Sequence, residues 1–510
     1  MIILVHKNQK ITEIRSTTLQ NIDVKSYYDL NLSQVFVTIA EQFSDELIIW
    51  VAADYVEELN MEQLDSIFAN PLTLQSYTID PVISDAIGYV DQSPYINVDK
   101  QVKYPTWLMS DLVGGAYAHV FNEVYNKSLY SDNFNELISL VAKLAQPLGL
   151  LCYSNPNLLK TNYITYKNKD IRLFPFVKKA YKKRWLFILF FNLWIYEKKL
   201  PLLDLLKALI TNKVKITANL EKYKPTELRL KDFPSVDVII PTIGRAKYLE
   251  KVFELLAIQT HLPNKVIVIE QDAIEGTPTE LNFITNKKWP FKVEHQLIYQ
   301  LGACNARNLA LDQVESDYVF FADDDIEFEN NLLTSALSTM LANNFEAVTL
   351  ACLRENDTPF FYHNFQWATF GSGCSIVKAS KLKNIYFDVA YEFGFGEDSD
   401  FGMQLRNKGC DIIYIPQPQI LHLKAPVGGF RTKFIHPWEN DVILPKPSPT
   451  VMLRHLRYQT PKQILGYKTI LFAKFYKSQN VKNPLKYIKI INKRWEKSIE
   501  WAHKLNNKQK

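Results

Sequence analysis

Three aspartates in succession, Asp323, Asp324 and Asp325, close the apolar run YVFFA (Tyr318 to Ala322). Carboxylates about 4 Å apart repel by about 1 kcal/mol in water and about 4 kcal/mol at an effective dielectric of 20. A fold tolerates that in a solvated acidic turn, or where a cation neutralises the cluster. An arbitrary acidic triplet reads first as a solvated turn, but a buried strand leading into it shifts the balance toward a cation site. Hard oxygen donors select magnesium or manganese, ions commonly shared with substrate phosphates. Alternate residues of an extended turn point to opposite sides, so Asp323 and Asp325 can serve different ligand groups. A second acidic pair, Glu397 and Asp398, follows Gly396 in GEDSDF. It opens a helix whose amide dipoles favour negative charge, and a plain helix-capping pair is the competing reading.

The segments around these residues alternate between strand and helix. VDVIIP (Val236 to Pro241) is a short apolar run of the kind that forms a buried parallel strand. A helix follows from about Ala246 to Gln259, then the strands KVIVIE (Lys265 to Glu270) and HQLIYQ. Gly302 opens a helix through ACNARNLALDQV, and YVFFA is the fourth strand. Parallel strands with crossover helices give an α/β, doubly wound sheet whose ligands bind beyond the carboxyl ends of the strands. The three aspartates sit at that edge.

In order along the chain stand PTIGRAKYLEKVFELLAIQT, VIVIEQD, GACNARNLAL, YVFFADDD and GEDSDFGMQLRNKG. This series resembles the GT-A glycosyltransferases of family 2, from roughly Val236 to Phe434. The resemblance implies a Rossmann-like nucleotide-diphospho-sugar transferase fold, a nucleotide-sugar donor, Mn²⁺ or Mg²⁺, and transfer with inversion at the anomeric carbon. It places Thr242 and Arg245 in the nucleotide pocket, Arg307 on the nucleotide or diphosphate, Asp323 on the ribose and Asp324 near the donor sugar. Glu270 stands where the family commonly has an aspartate touching the base or ribose, a departure that leaves the base open; a UDP-sugar is expected. Asp325 is the implied metal ligand and Asp398 the general base, with Glu397 orienting the acceptor. His422 falls where the family often has a metal-binding histidine, and neutral imidazole suits manganese, although a lone histidine is more often structural. Gly428, Gly429 and Arg431 suggest a loop closing over the diphosphate, and Trp367 and Trp438 are candidates for sugar stacking, with core packing the safer reading for both.

The first half echoes the second. LIIWVAADYVEEL pairs Trp50 with Phe321 and Asp54 with Asp325, and Leu137 to Pro156 matches Asp400 to Pro418 as a helix, a Gly stop and a strand closed by Pro. A third match joins the segments starting at Ile188 and Ile470. Two tandem copies of one architecture are expected, each followed by helical segments. The first has Ala52 and Ala53 at the positions of Asp323 and Asp324 and lacks the PTxxR pattern, so no transfer is expected there. Glu221 to Val236 reads as a linker. The expected division is a non-catalytic 1–230, a catalytic 231–435 and a basic, aromatic-rich helical extension 436–510.

Composition sets the outer bounds. The 510 residues are 47% hydrophobic, 22% charged and 13% aromatic, which excludes collagen-like and largely disordered classes. The five cysteines lack CxxC or Cys/His spacing and read as reduced thiols in a cytoplasmic protein. The start, MIILVHKNQK, carries no cleavage pattern. As a helix the most apolar window, Trp185 to Tyr196, is about 18 Å long, too short to span about 30 Å of hydrocarbon. A net charge of +5 does not argue for nucleic acid, and no recognition motif accompanies it. From Lys446 onward sixteen Lys/Arg face two acidic residues, and KKAYKKR (Lys178 to Arg184) precedes the aromatic run. Such segments suit peripheral contact with an anionic membrane surface at its cytoplasmic face, or are solvated faces over core helices. A glycan or glycolipid acceptor accompanies the first reading. Two rivals stand beside transfer: a non-catalytic nucleotide- or carbohydrate-binding scaffold, and a nucleotidyltransferase, against which the missing Gly/Lys/Arg-rich phosphate loop argues.

Overall fold

In the computed structural model, which describes residues 1–16, 27, 30–161, 165–225, 233–425 and 434–507, the strands form two sheets. The first contains β1 (Ile2–Lys7), β2 (Lys10–Ser16), β3 (Leu47–Ala52), β4 (Thr73–Tyr77), β5 (Tyr104–Pro105), β6 (Val113–Tyr117) and β7 (Leu151–Ser154). The second contains β8 (Val236–Thr242), β9 (Lys265–Gln271), β10 (Lys292–Ile298), β11 (Tyr318–Ala322), β12 (Ile326–Phe328), β13 (Ala347–Leu353), β14 (Phe365–Gln366), β15 (Cys374–Lys378) and β16 (Ile412–His422). Two compact units result: Met1–Pro225 with Gln459–Lys474, and Thr226–Tyr458 with Phe475–Lys510.

In the second unit the strand order is β10-β9-β8-β11-β15-β13-β16-β12, with β14 beside β16. β10, β9, β8 and β11 run parallel, as their apolar runs and intervening helices dictate. β9 and β11 are buried along their whole length. The carboxyl ends of β8, β9 and β11 therefore share one edge, delivering Thr242, Gln271 and the three aspartates together. β15 runs antiparallel to both β11 and β13.

An aromatic cluster ties this edge to the helix Glu397–Asn407. Phe321 of β11 meets Phe370 at 5.1 Å and Phe401 at 5.7 Å between ring centroids, and Phe387 stacks on Phe401 at 4.2 Å. Phe401 lies one helical turn after Glu397, so the strand that ends in aspartates and the helix that begins with Glu397 and Asp398 share one core. Arg406, fully buried, anchors the other end of that helix through the carbonyls of Trp367 and Ala368. Asp400 is held by Arg457 and Tyr458.

The first unit orders its strands β2-β1-β3-β6-β4-β7-β5. From β1 onward this repeats, strand for strand and direction for direction, the series β8-β11-β15-β13-β16-β14 of the second. The registers agree as well: Trp50 lies opposite Leu4 and Gly114, Phe321 opposite Ile239 and Ser375. The larger Trp50 ring is accommodated because residue 114 is glycine, where a Cβ would lie 2.3 Å from the indole. The units differ outside β1 and β8. There the second has the parallel strands β9 and β10, and the first has only β2, an antiparallel hairpin partner.

The compact units cut across the extension expected over 436–510. Gln463 donates to the carbonyls of Asp91 and Ser93 and draws Gln459–Lys474 into the first unit. The helix Pro484–Asn507 instead buries Tyr487, Ile491 and Trp495 in the second. Replacing Phe401 by Ala is expected to destabilise the second unit by about 3–5 kcal/mol, the usual cost of emptying a buried phenyl site. Chemical denaturation followed by circular dichroism checks this.

Candidate active site

A cavity of about 620 Å³ opens at the shared strand edge, and it is lined by Thr242, Arg245, Gln271, Arg307, Asp323, Asp324, Asp325, Glu397, Asp398 and His422. Its size falls within the range of small-ligand sites. Each aspartate of the triplet has a basic side chain beside it, Arg245 serving two of them, which is how three successive carboxylates coexist. Arg307 donates to Asp323 at 3.1 Å. Arg245 Nη1 donates to Asp324 at 2.6 Å and lies 3.3 Å from Asp325. His422 Nε2 stands 3.3 Å from Asp325 Oδ1, while the Ala425 amide donates to Asp325 Oδ2 at 2.8 Å.

The three aspartates are not equivalent. Both oxygens of Asp324 are taken, by Thr242 Oγ1 at 2.6 Å and by Arg245, and burial pushes its pKa up to about 6 against the pull of Arg245. Asp324 thus braces the two residues that the family resemblance assigns to the nucleotide pocket. For Asp325 burial would raise the pKa, but the neighbouring His422, the Ala425 amide and the nearby Arg245 hold it below the usual carboxylate range. The adjacent Asp325 carboxylate in turn raises the pKa of His422 despite partial burial.

Asp323, Asp325 and His422 each offer one ligand atom, and these atoms lie within 4.8 Å of one another. An octahedral ion with bonds of about 2.1 Å holds its donors roughly 3–4.2 Å apart, so modest tightening around an ion suffices. Asp325 Oδ1 is buried without an aligned hydrogen-bond donor, the condition expected of an oxygen reserved for a cation. Two carboxylates and an imidazole suit a divalent metal ion.

On the opposite wall, Asp398 accepts from the Ser372 amide at 3.3 Å. Burial raises its pKa, and Arg307 opposes that rise. Glu397 is pushed up to about 7 by burial and by the neighbouring Asp398 charge, and its Oε2 has no hydrogen-bond partner. Arg307 also feels both Asp323 and Asp398, which keep its pKa raised against burial. One guanidinium therefore serves both halves of the cavity.

Glu270 stands apart. Its carboxylate is occupied by Thr279 at 2.6 Å, the Glu280 amide at 2.9 Å and His295 at 2.8 Å, and it is not part of the cavity lining. Gln271 takes that place, accepting from the Gly302 amide at 2.6 Å. Trp367 packs against Tyr414 and Trp438 stacks on His436, both away from the lining. Gly428, Gly429 and Arg431 lie outside the described residues. Sequence reading missed Ser372, Gly373 and Glu392. A Cβ at Gly373 would lie 2.1 Å from Asp323 Oδ2, so GSG before β15 was an available signal of close approach to the triplet.

The family model described as Glycosyl transferase family 2 matches residues 237–399. The matched segment contains most of β8, all of β9 to β11, the aspartate triplet and the Glu397–Asp398 pair, and so most of the cavity lining, while His422 lies beyond it. An uncharacterized glycosyltransferase of Rickettsia bellii is 31% identical over 110 residues, 22% of this chain. The alignment spans only 16% of that relative's length. Among solved structures the chain is similar to S. aureus TarS 1-349 in complex with UDP-GlcNAc, at 16% identity over 51% of this chain and 71% of that one, with a TM-score of 0.35. It is also similar to the mannosyltransferase PcManGT from Pyrobaculum calidifontis in complex with GDP-Man and Mn²⁺, at 16% identity over 54% and 74%, with a TM-score of 0.30.

The raised pKa of Glu397 has a stability consequence with a definite sign. Relative to an unfolded carboxyl near 4.5, the folded protein holds this proton until about pH 7. Wild type and Glu397→Gln should be about equally stable below pH 4.5, and wild type should fall behind by roughly 3 kcal/mol between pH 4.5 and 7, with no further loss above that. Urea titrations at pH 4 and pH 8 read the difference.

Proposed function

We propose that this chain is a metal-dependent inverting glycosyltransferase, moving a sugar from a nucleotide-diphosphate donor, taken to be a UDP-sugar, to a hydroxyl of a polysaccharide or lipid-linked glycan. The observation that carries the reading is that the Asp323–Asp325–His422 group and Asp398 line one cavity. A divalent ion on Asp323, Asp325 and His422 would neutralise the diphosphate as it leaves. Asp323, assigned to the ribose by resemblance, stands within this ligand group, so we read it as serving the ion as well. Thr242 and Arg245, braced by Asp324, border the nucleotide. Arg307 bears on the diphosphate.

Asp398 removes the acceptor hydroxyl proton as the oxygen attacks the anomeric carbon and the nucleoside diphosphate departs from the opposite face. Burial makes it a stronger base than a surface carboxylate. Glu397 orients the acceptor beside it. We place the protein in the cytoplasm, with peripheral contact to an anionic membrane surface.

We read the first unit as a copy of the same architecture without the chemistry. The Asp111 amide donates to Asn135 Oδ1 at 2.6 Å, the counterpart of the Ser372–Asp398 bond at the start of the equivalent helix. An amide side chain, Asn135, thus stands at the position of the base, as the match of Leu137 with Asp400 implies. The N-cap Asn133 sets that register. Gln9 and Asn133 join Asp111 in a buried polar network on the same side.

Asp398→Asn should lower transfer by about 10²–10⁴-fold while retaining manganese-dependent nucleotide binding by calorimetry. Asp325→Ala should abolish that binding, and Asp54→Ala should leave turnover unchanged. Nucleotide binding without hydrolysis or transfer across a panel of nucleotide sugars would instead support a non-catalytic scaffold.

A further inference from the structure

Nine of the 29 exposed large apolar side chains among the described residues fall within 24 consecutive positions, 187–210. All but Leu200 belong to the helices Lys183–Glu197 and Leu202–Ile210, which both pack on the helix Leu173–Ala180 in the first unit. The longer helix is apolar nearly all round. It buries Leu186, Leu189, Phe190 and Leu193 and leaves Phe191 and Trp194 open, 46% and 48% exposed. On the shorter helix only Ala208 is buried, while Leu203, Leu206 and Ile210 are 72%, 59% and 84% exposed. Their spacing of three and four residues makes one continuous stripe. A stripe of this kind in water is costly and marks a surface built for a partner.

Charge selects the partner. Between Lys178 and Lys215 stand ten Lys/Arg against Glu197 and Asp204, and Glu197 is already paired with Lys462 and Lys199. Self-association through this face would bring two such cationic sets together. An anionic lipid surface accepts both the apolar stripe and the cations around it. No helix among the described residues is long and apolar enough to cross a membrane, so these helices lie along the interface. The C-terminal basic helix Pro484–Asn507 differs: it buries Tyr487, Ile491, Trp495 and Ala502, leaves Leu485, Ile488 and Ile490 open only in its first turns, and pairs Lys497 and Lys504 with Glu500. It is a solvated basic face over a packed helix.

We infer that the helices Lys183–Glu197 and Leu202–Ile210 form an in-plane anchor that seats the protein on an anionic bilayer surface, inserting Phe191, Trp194, Leu203, Leu206 and Ile210 among the headgroups. The inference locates the membrane contact within the proposed function and is independent of the transfer chemistry. Flotation of the full chain with phosphatidylglycerol-containing vesicles, against phosphatidylcholine alone, tests it. Wild type should float with the anionic vesicles and be released at 1 M salt, where screening shortens to about 3 Å. The triple variant Leu203→Asp, Leu206→Asp, Ile210→Asp should bind about tenfold more weakly or worse. These side chains are largely exposed, so its melting temperature and its metal-dependent donor hydrolysis in solution should match wild type. Unchanged flotation of the triple variant, absence of wild-type flotation at low salt, or a dimer in wild type that the variant abolishes would each overturn the anchor. Loss of donor hydrolysis in wild type itself would count against the transfer reading and leave the anchor standing.

Discussion

Three adjacent carboxylates at the end of a buried strand are held in place by two arginines. At an effective dielectric of 20 each unscreened pair at 4 Å costs about 4 kcal/mol, so the triplet would expel itself from the strand end without compensation. Arg245 meets Asp324 and Asp325 from the β8 side, and Arg307 meets Asp323 from the helix that follows Gly302. Asp325 keeps one buried oxygen without an aligned donor. Compensation that stops short of completion is what makes the cluster receptive to a further cation. A fully paired triplet would be only structure.

Position depends on a different force. The carboxylates of β11 and those of the helix Glu397–Asn407 come from segments about 75 residues apart in the chain, by direct count of the sequence. They face one cavity because Phe321, Phe370, Phe387 and Phe401 pack together beneath them. Buried aromatic side chains therefore set the span between the aspartate triplet and the Glu397–Asp398 pair. Arg307 links the same two walls electrostatically, since its charge bears on both Asp323 and Asp398.

The two units share a packing plan but not the residues at the strand ends. The first keeps the strand order, the register about Trp50, and even the amide bond to the residue at the helix start, yet that residue is Asn135. Ala52 and Ala53 stand where Asp323 and Asp324 stand in the second. It also has an antiparallel hairpin in place of β9 and β10, and so lacks the strand end that carries Gln271. Core packing tolerates such replacements because it asks for volume and pattern, whereas a metal site asks for particular atoms.

Local pattern was sufficient for much of this protein. The apolar runs of β8, β9 and β11 announced a buried parallel sheet, because only strands covered on both faces are apolar throughout. Asp323–Asp325 and Glu397–Asp398 stood out as candidates because acidic groups beside such runs are costly without a partner. The correspondence of Trp50 with Phe321 was legible too, since period and turn residues survive divergence. What each carboxylate touches was decided by the tertiary structure. Only the fold brings His422 to Asp325, occupies Asp324 with Arg245 and Thr242, and turns Glu270 to Thr279 and His295 so that Gln271 lines the cavity. The two basic segments likewise read alike in sequence, and burial separated them: apolar residues lie open as a stripe over Leu203–Ile210, whereas along Pro484–Asn507 Tyr487, Ile491 and Trp495 are covered and the open ones are confined to the first turns. Spacing along a chain specifies which elements form, whereas partners across a fold depend on long-range packing that no local window contains.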